Sequence, residues 1–454
     1  MDIDLIALCI IYACISIILT ADIIHVFIEQ KYISMYLLCK IMFLIVEIIV
    51  PLALHVKFYF DGTLYPWRVS LDYGSDGIEA LLWVAFLVSV GYVFISLGYR
   101  NKYKIAIESK FRRKDSLTST TLTYDLALRY TAIILLVLGV ISLFMWTEAY
   151  GGITQFIMQA NAIRSGVTNV SNQYAFFKHF AKIVIICSYM FGVLLVFSKR
   201  KRISDIFLLI ISVIFSIGFL LASDGRMSAG FYLLSFIAIY MQSRSVMIDK
   251  KIELKTIVKL GLMFFLSLLF MLKMDDFTFF IKNGYWYDGS DAQTNTLISS
   301  FIYELSFVVK CEQLAIMKAD QIGLQLINDL GYGFSAWLPS SLVTSSFPRL
   351  WTLNTELSGD TSGEYPCGII AQGYYDIRLF GVILLTFLYG VLIKKMDSIK
   401  IKTPYGMTIY AALFYSIIRI ISYGMIYDFI QGLFGIFVFF ITYYLISSFC
   451  ILRK

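Results

Sequence analysis

The chain has 454 residues, of which 59% are hydrophobic, 17% aromatic and only 15% charged. Soluble domains carry about 25% charged residues, so this composition excludes a protein that faces water on all sides. The net charge of +7 is not a nucleic-acid signature, because the lysines and arginines fall in short clusters between apolar runs.

A bilayer core needs about 20 mostly apolar residues per helix. About eleven such segments are predicted, near 4–27, 33–56, 78–98, 130–148, 180–198, 204–222, 227–243, 257–272, 379–393, 406–425 and 429–450. The first has no basic stretch ahead of it and is followed by further spans, so it reads as a retained helix and not as a cleaved signal. Basic clusters mark cytoplasmic connections. They stand at Arg100–Lys114, Lys199–Arg202, Arg244–Lys255, Lys394–Lys402 and Arg453–Lys454. Counted along the predicted spans, all of them fall on one side. The expectation is an all-α, polytopic protein of a bacterial inner membrane, with its N-terminus in the periplasm and its C-terminus in the cytoplasm.

Three parts make up this single membrane domain: spans one to eight (1–272), a large outer loop (273–378) and spans nine to eleven (379–454). A loop beyond about 15 residues is usually functional or disordered. This one is rich in Trp, Tyr, Phe, Leu and Ile, which argues for order. Within it, 299–318 has apolar residues at helical spacing but carries Glu304, Lys310 and Glu312. It reads as an amphipathic helix lying on the membrane or on the bundle.

Candidate chemistry gathers on the outer side. Arg226, in SDGRMSAG, opens a helix that Ser223 or Asp224 can cap, and free N–H groups with an arginine make a phosphate site at membrane-surface level. Arg164 lies in the second outer loop, where it reads equally as a solvated charge or a substrate contact. Arg349 follows Pro348 and is flanked by Phe347 and Trp351, a rigid setting for a binding anchor. The stretch LSGDTSGEYPCGIIAQGYYD (357–376) reads as a flexible loop, either a plain surface loop or one supplying Asp360, Glu364 and Asp376 as base or sugar-hydroxyl acceptor. Tyr374 and Trp351 are among the aromatics that can stack on sugar rings or form an interfacial belt. His55 and His179 fall near the outer surface, as general base or plain interfacial side chain. Glu47 and Arg419 interrupt apolar runs, where ionisable groups are functional by default. They allow either a pair with each other or Arg419 on a lipid phosphate.

The seven cysteines and three histidines show no metal-ligand spacing. Cys311 and Cys367 share the long loop, where spacing alone does not decide whether they pair. With no Walker, Rossmann or HExxH pattern, no cofactor or metal is expected, and any reaction must use an activated substrate already in the membrane.

At this point the chain resembles the O-antigen polymerase (Wzy-type) family, including the enterobacterial common antigen branch. The likeness rests on span count, the long penultimate outer loop and four local patterns in order. These are Arg164 after the fourth span, DGRMSAG at 224–230, WLPSS running to FPRLW, and SGEYPCGIIAQGYYDIRLFG entering a span. Gln372 stands where many relatives have an acidic residue. The resemblance implies metal-independent glycosyl transfer on a GT-C-like scaffold. The growing glycan would leave undecaprenyl pyrophosphate for the non-reducing end of an incoming undecaprenyl-pyrophosphate-linked repeat unit. Arg226, Arg349, Asp360 and Glu364 would act in catalysis, and Arg164, Asp224, Trp351, Arg419, His179 and Tyr374 in binding. Membrane lipids, a chain-length regulator and a flippase are the implied partners. O-antigen ligation is the neighbouring activity. A lipid-linked oligosaccharide flippase is the rival from another class, and the hundred-residue outer loop argues against it.

Overall fold

The computed structural model describes residues 2–30, 34–64, 69–101, 120–160, 163, 174, 176–198, 202–247, 297–325, 328–335, 337–338, 350–359, 366–398, 403–424 and 426–452. The expected eighth span, at 257–272, lies outside them. Among the described residues nine helices are long and apolar enough to cross a membrane. They carry apolar side chains outward, as Ile17, Phe207, Phe380 and Phe449 do, which suits lipid and not water. The chain is a helical, multi-pass membrane protein.

The helices follow the predicted order. They are α1 (Asp2–Gln30), α2 (Met35–Leu44), α3 (Val50–Asp61), α4 (Ser75–Arg100), α5 (Thr120–Glu148), the short α6 (Ile153–Met158) and α7 (Phe177–Ala181), then α8 (Ile183–Phe197), α9 (Ile203–Ser223) and α10 (Arg226–Met247). After the predicted outer loop begins come α11 (Leu297–Ile322), α12 (Asn328–Ser335) and α13 (Leu350–Ser358), followed by α14 (Ile369–Ser398), α15 (Pro404–Tyr423) and α16 (Ile426–Leu452). A π-helical turn, Ile45–Ile49, joins α2 to α3 into one span. Its cause is local. Pro51 has no N–H and its ring crowds the carbonyl four residues back, which is that of Glu47, and the wider turn relieves the clash.

Predicted connections of one sign meet at one end of the bundle. Asp397, at the end of α14, accepts from the N–H groups of Met35 (2.8 Å) and Tyr36 (3.1 Å) and from Tyr99 Oη (3.2 Å). Lys394 donates to the carbonyl of Asn101. All of these belong to connections expected inside. Those expected outside meet at the opposite end, where Asp428 and Asp224 converge on Arg419.

Two expectations are revised. The stretch 357–376 is not a flexible loop throughout: 350–358 and 369–376 are helical, and the latter is largely buried. At Ile377 (φ −145°, ψ 40°) and Arg378 (φ 53°, ψ −141°) the helix breaks, so that 369–376 is a half-helix folded back on its own continuation. Glycine allows the fold: a Cβ on Gly373 would sit 2.7 Å from Val382 Cα, and one on Gly381 would run into the Gly373 carbonyl. Arg378 holds the corner by donating to Asp320 (2.6 Å) and to the Tyr374 carbonyl (3.2 Å). The second revision concerns α11. It is amphipathic as predicted, but the polar groups at its middle point into the protein, with Lys310, Glu312 and Gln313 all buried, while Asp320 near its end is exposed.

The tightest crossing in the bundle joins α4 to α14, through Gly98 against Phe387 and Gly390 against Ile95 and Tyr99. Small residues at such crossings let helix backbones touch inside a bilayer. Gly98→Leu or Gly390→Leu should therefore lower stability by about 1–3 kcal/mol. Gly218→Leu, where an added Cβ meets nothing within 4 Å, should be silent. Thermal stability of the detergent-solubilised variants measures the contrast, and equal stability for all three sites would refute the crossing.

Candidate functional site

The apolar helices α7, α8, α9, α15 and α16 each carry polar residues at the same end, and those residues close on one cleft. α9 stops at Ser223, and Gly225 (φ 85°) turns the chain into α10, leaving Asp224 in the bend. α15 stops at Gly424 (φ 50°), and Asp428 lies in the first turn of α16. Arg419, one turn before the end of α15, reaches both carboxylates: Nη2 donates to Asp428 Oδ2 at 2.9 Å and Nη1 to Asp224 Oδ2 at 3.4 Å. Nη1 also donates to Tyr415 Oη at 3.0 Å, and the guanidinium lies 5.1 Å from the ring centres of both Tyr415 and Tyr423. Its Nε is buried with no acceptor among the described residues. A buried N–H without an acceptor is costly, so this donor is available to a ligand.

Further cations come from the start of the fifth span. Lys182 Nζ lies 3.9 Å from Asp224 Oδ2, and Lys178 Nζ lies 5.6 Å from the centre of the Trp146 ring. Burial opposes ionisation of Asp224, but Lys182, Arg419 and Lys178 outweigh it and hold the carboxyl below the ordinary range, at about 2. The cleft is therefore a partly neutralised cationic site, with Lys178, Lys182 and Arg419 against Asp224 and Asp428. Trp351 from α13, Tyr332 from α12, and Tyr423 and Tyr427 give it aromatic walls, and His179 lies on the same lining. Its empty space is about 570 Å³, counting the part open to solvent.

Four of the residues singled out from the sequence thus come together: Asp224, His179, Trp351 and Arg419. Arg226 is placed otherwise. It forms an ion pair with Glu304 of α11 and does not line the cleft. Tyr374 lies under the Arg378 guanidinium, 5.4 Å from it. Arg419 takes Asp224 and Asp428 as its partners, so the pairing with Glu47 is not formed. Glu47 lies instead beside Glu312. Arg164, Arg349, Asp360 and Glu364 lie outside the described residues.

Sequence reasoning missed Lys178, Lys182 and Asp428. The signal was available for the lysines: with His179 they bracket the outer start of a span, one helical turn apart. Cys311 and Cys367 are both buried free thiols in one cluster, with Asn354 Nδ2 3.0 Å from Cys311 Sγ. Among the described residues no group of three His, Cys, Asp or Glu side chains is arranged to hold a metal ion. No family model, curated protein or solved structure matches the chain.

The Arg419 cluster should behave as one energetic unit. Neutralising one carboxylate leaves the buried guanidinium under-compensated, so Asp224→Asn should destabilise the protein. Paired with Arg419→Gln, it should show a coupling of about 0.5–3 kcal/mol in a double-mutant cycle. The sign of its pH dependence follows from the depressed pKa. The contribution of Asp224 is complete above the unfolded carboxylate value and is lost only as pH falls towards about 2. The cost of Asp224→Asn should therefore be equal at about pH 5 and about pH 8. A strong pH dependence across that window would contradict the cluster.

Proposed function

We propose that the cleft binds the pyrophosphate of a lipid-linked oligosaccharide, and that the protein is a glycosyltransferase joining such oligosaccharides, an O-antigen polymerase. The observation that carries this reading is the orphaned Nε of Arg419 beside Lys178 and Lys182, at one end of a membrane-spanning bundle. A phosphate tethered to a membrane lipid lies at that depth, and Arg419 offers it a donor that no group among the described residues takes. The aromatic walls fit the sugars that follow, since aromatic rings stack on their apolar faces. The family resemblance supplies the reaction, and the cleft supplies the groups it needs.

In this reading an acceptor hydroxyl oxygen attacks the anomeric carbon of the donor sugar, and the bond from that carbon to the pyrophosphate oxygen breaks. Negative charge grows on the departing oxygen, and fixed cations stabilise it more in the transition state than in the bound substrate. The acceptor proton passes to Asp428 or His179, the base candidates on the same lining. Arg226, tied to Glu304, holds α11 against α10 rather than gripping phosphate. The cleft end faces the periplasm and the basic connections the cytoplasm.

Lys182→Ala and Arg419→Lys should each lower polymerisation of purified lipid-linked repeat units by about a hundredfold. Arg419→Lys keeps the charge but loses the planar fork. The reaction should proceed in chelator. Full-length product ladders from both variants at wild-type protein level would overturn the proposal. A cysteine at Thr294 should react with an impermeant reagent added to intact spheroplasts, and one at Ser398 should not.

A further inference from the structure

Away from the cleft, a second polar group is buried where α11 docks on the bundle. Glu47 occupies the π-helical turn of the second span, and Glu312 faces it from α11. Glu47 is 0% exposed and Glu312 1%. None of their four carboxyl oxygens has a hydrogen-bond donor from another described residue. The two carboxyls lie within hydrogen-bonding reach of each other. A Cβ placed on Gly368 would sit 3.6 Å from Glu47 Oε1 and 2.8 Å from Val308 of α11, so backbone and an apolar side chain close the site on that side.

Further unpartnered groups stand around it. Tyr12 Oη, from α1, is fully buried without a partner among the described residues and lies near enough to both carboxyls to feel their charge. On the far side of Tyr12, 5.2 Å between ring centres, His55 of α3 pairs through Nδ1 with Tyr73 Oη (3.0 Å), and its buried Nε2 has no partner among the described residues. On α11 itself Cys311 lies near enough to Glu312 to act on its charge, and Lys310 donates to Ser70 Oγ at 2.7 Å. Among the described residues neither carboxyl has a hydrogen-bonding cation, and from α15 the Ile421 carbonyl approaches Gly368.

Two carboxylates cannot both stay ionised at contact in an apolar interior. The repulsion and the lost hydration far exceed what folding can absorb. Some positive charge must be held there. We propose that Glu47 and Glu312 form a proton-binding site in which a shared proton fastens α11 to the transmembrane bundle. The proton sits on one carboxyl and is donated to the other, replacing two repelling charges by one charge-assisted hydrogen bond. Protonated Glu312 is also what burial, and then the neighbouring Glu47 carboxylate, favour, since together they push its pKa well up.

The consequence is a link between pH and the outer helix. Gln313, next along α11, exchanges hydrogen bonds with the Asp72 backbone (3.0 and 2.6 Å) and donates to the Gly77 carbonyl (3.0 Å). Adjacent residues of α11 therefore carry the proton site and the clamp on the start of α4. A carboxyl whose pKa is raised on folding binds its proton in the folded chain at pH values where the unfolded chain has released it. Its stabilising effect is whole at low pH and is lost as pH rises. This holds whatever ligand the Arg419 cleft takes.

The test uses the full chain in detergent, without substrate. Infrared spectra at neutral pH should show a protonated-carboxyl C=O band in the wild type that disappears in Glu312→Gln. The melting temperature of the wild type should fall between about pH 5.5 and about pH 8.5, and amide exchange across 297–322 should quicken over the same range. Glu312→Gln and Glu47→Gln should each flatten both responses, since a glutamine amide donates the same hydrogen bond without a proton to lose. Absence of the band difference, or a wild type whose stability and exchange track those of Glu312→Gln at every pH, overturns the proposal. A melting temperature that rises when choline is replaced by sodium would also overturn it, because the bound cation would then be a metal ion. Should Glu47→Gln fail to fold, the infrared comparison with Glu312→Gln still decides.

Discussion

A guanidinium placed inside an apolar helix bundle needs counter-charge, and much of the cleft end of this protein is arranged around that need. Arg419 is 5% exposed. Its partners come from two different turns, Asp224 between α9 and α10 and Asp428 at the start of α16. Each ion pair therefore fixes the end of one helix against another. Lys182 reaches the same Asp224 from the start of the fifth span. Breaking one pair would leave a charge buried alone, which costs more than the pair itself contributes. Rigidity of the cleft and its chemistry thus share a cause: the cations that a phosphate would meet are the ones that lock the helix ends.

The half-helix 369–376 extends this layer sideways. Its carboxylate, Asp376, accepts from Gln372 Nε2 at 3.2 Å, and Tyr375 Oη donates to Asn354 of α13 at 2.7 Å. α13 in turn presents Trp351 to the cleft. The strained corner at Arg378 is therefore not an isolated defect. Positive φ in a non-glycine residue is held only where surrounding contacts over-determine it, and here the Asp320 ion pair and the packed glycines do so. A broken helix at membrane depth is tolerated when protein buries its freed backbone groups, which α11 and α13 provide.

Much of this was legible in the sequence, and the reasons differ by element. Spans such as 4–27 and 204–222 are long apolar runs broken by only a few polar residues such as Asp22 and Asp205, and their helices extend only a few residues beyond the predicted bounds. The gathering of predicted inner and outer connections at opposite ends follows from charge alone. The cleft was half legible: Asp224, His179, Trp351 and Arg419 were singled out as unusual, but which partner Arg419 takes depends on three-dimensional spacing that hydropathy does not encode. Glu47 was an equally plausible counter-ion by depth. The helix 369–376 was hidden by its composition, since the glycines that suggest a loop serve instead to let one helix segment pack on another. Lys178 and Lys182 are hard to single out from sequence, since lysines at a span boundary ordinarily reach out to headgroups.

The reading of α11 shows where an amphipathic pattern is ambiguous. Apolar residues at helical spacing with Glu304, Lys310 and Glu312 on another face describe a helix between two media, but they do not say which medium lies on which side. On a water-soluble protein the charged face points out. Here the helix lies against a bundle whose cleft end is polar, and these three charged groups each find a specific partner inside: Arg226 for Glu304, Ser70 for Lys310 and Glu47 for Glu312. Two of those contacts are attractive as they stand. The third pairs like with like and holds only with a proton between them, so the docking of α11 combines contacts that pH leaves alone with one that it controls. A helix held in this way stays on the bundle when the proton leaves, through Arg226 and Lys310, while the register around Gln313 loosens. That is a graded response of one helix face rather than a dissociation.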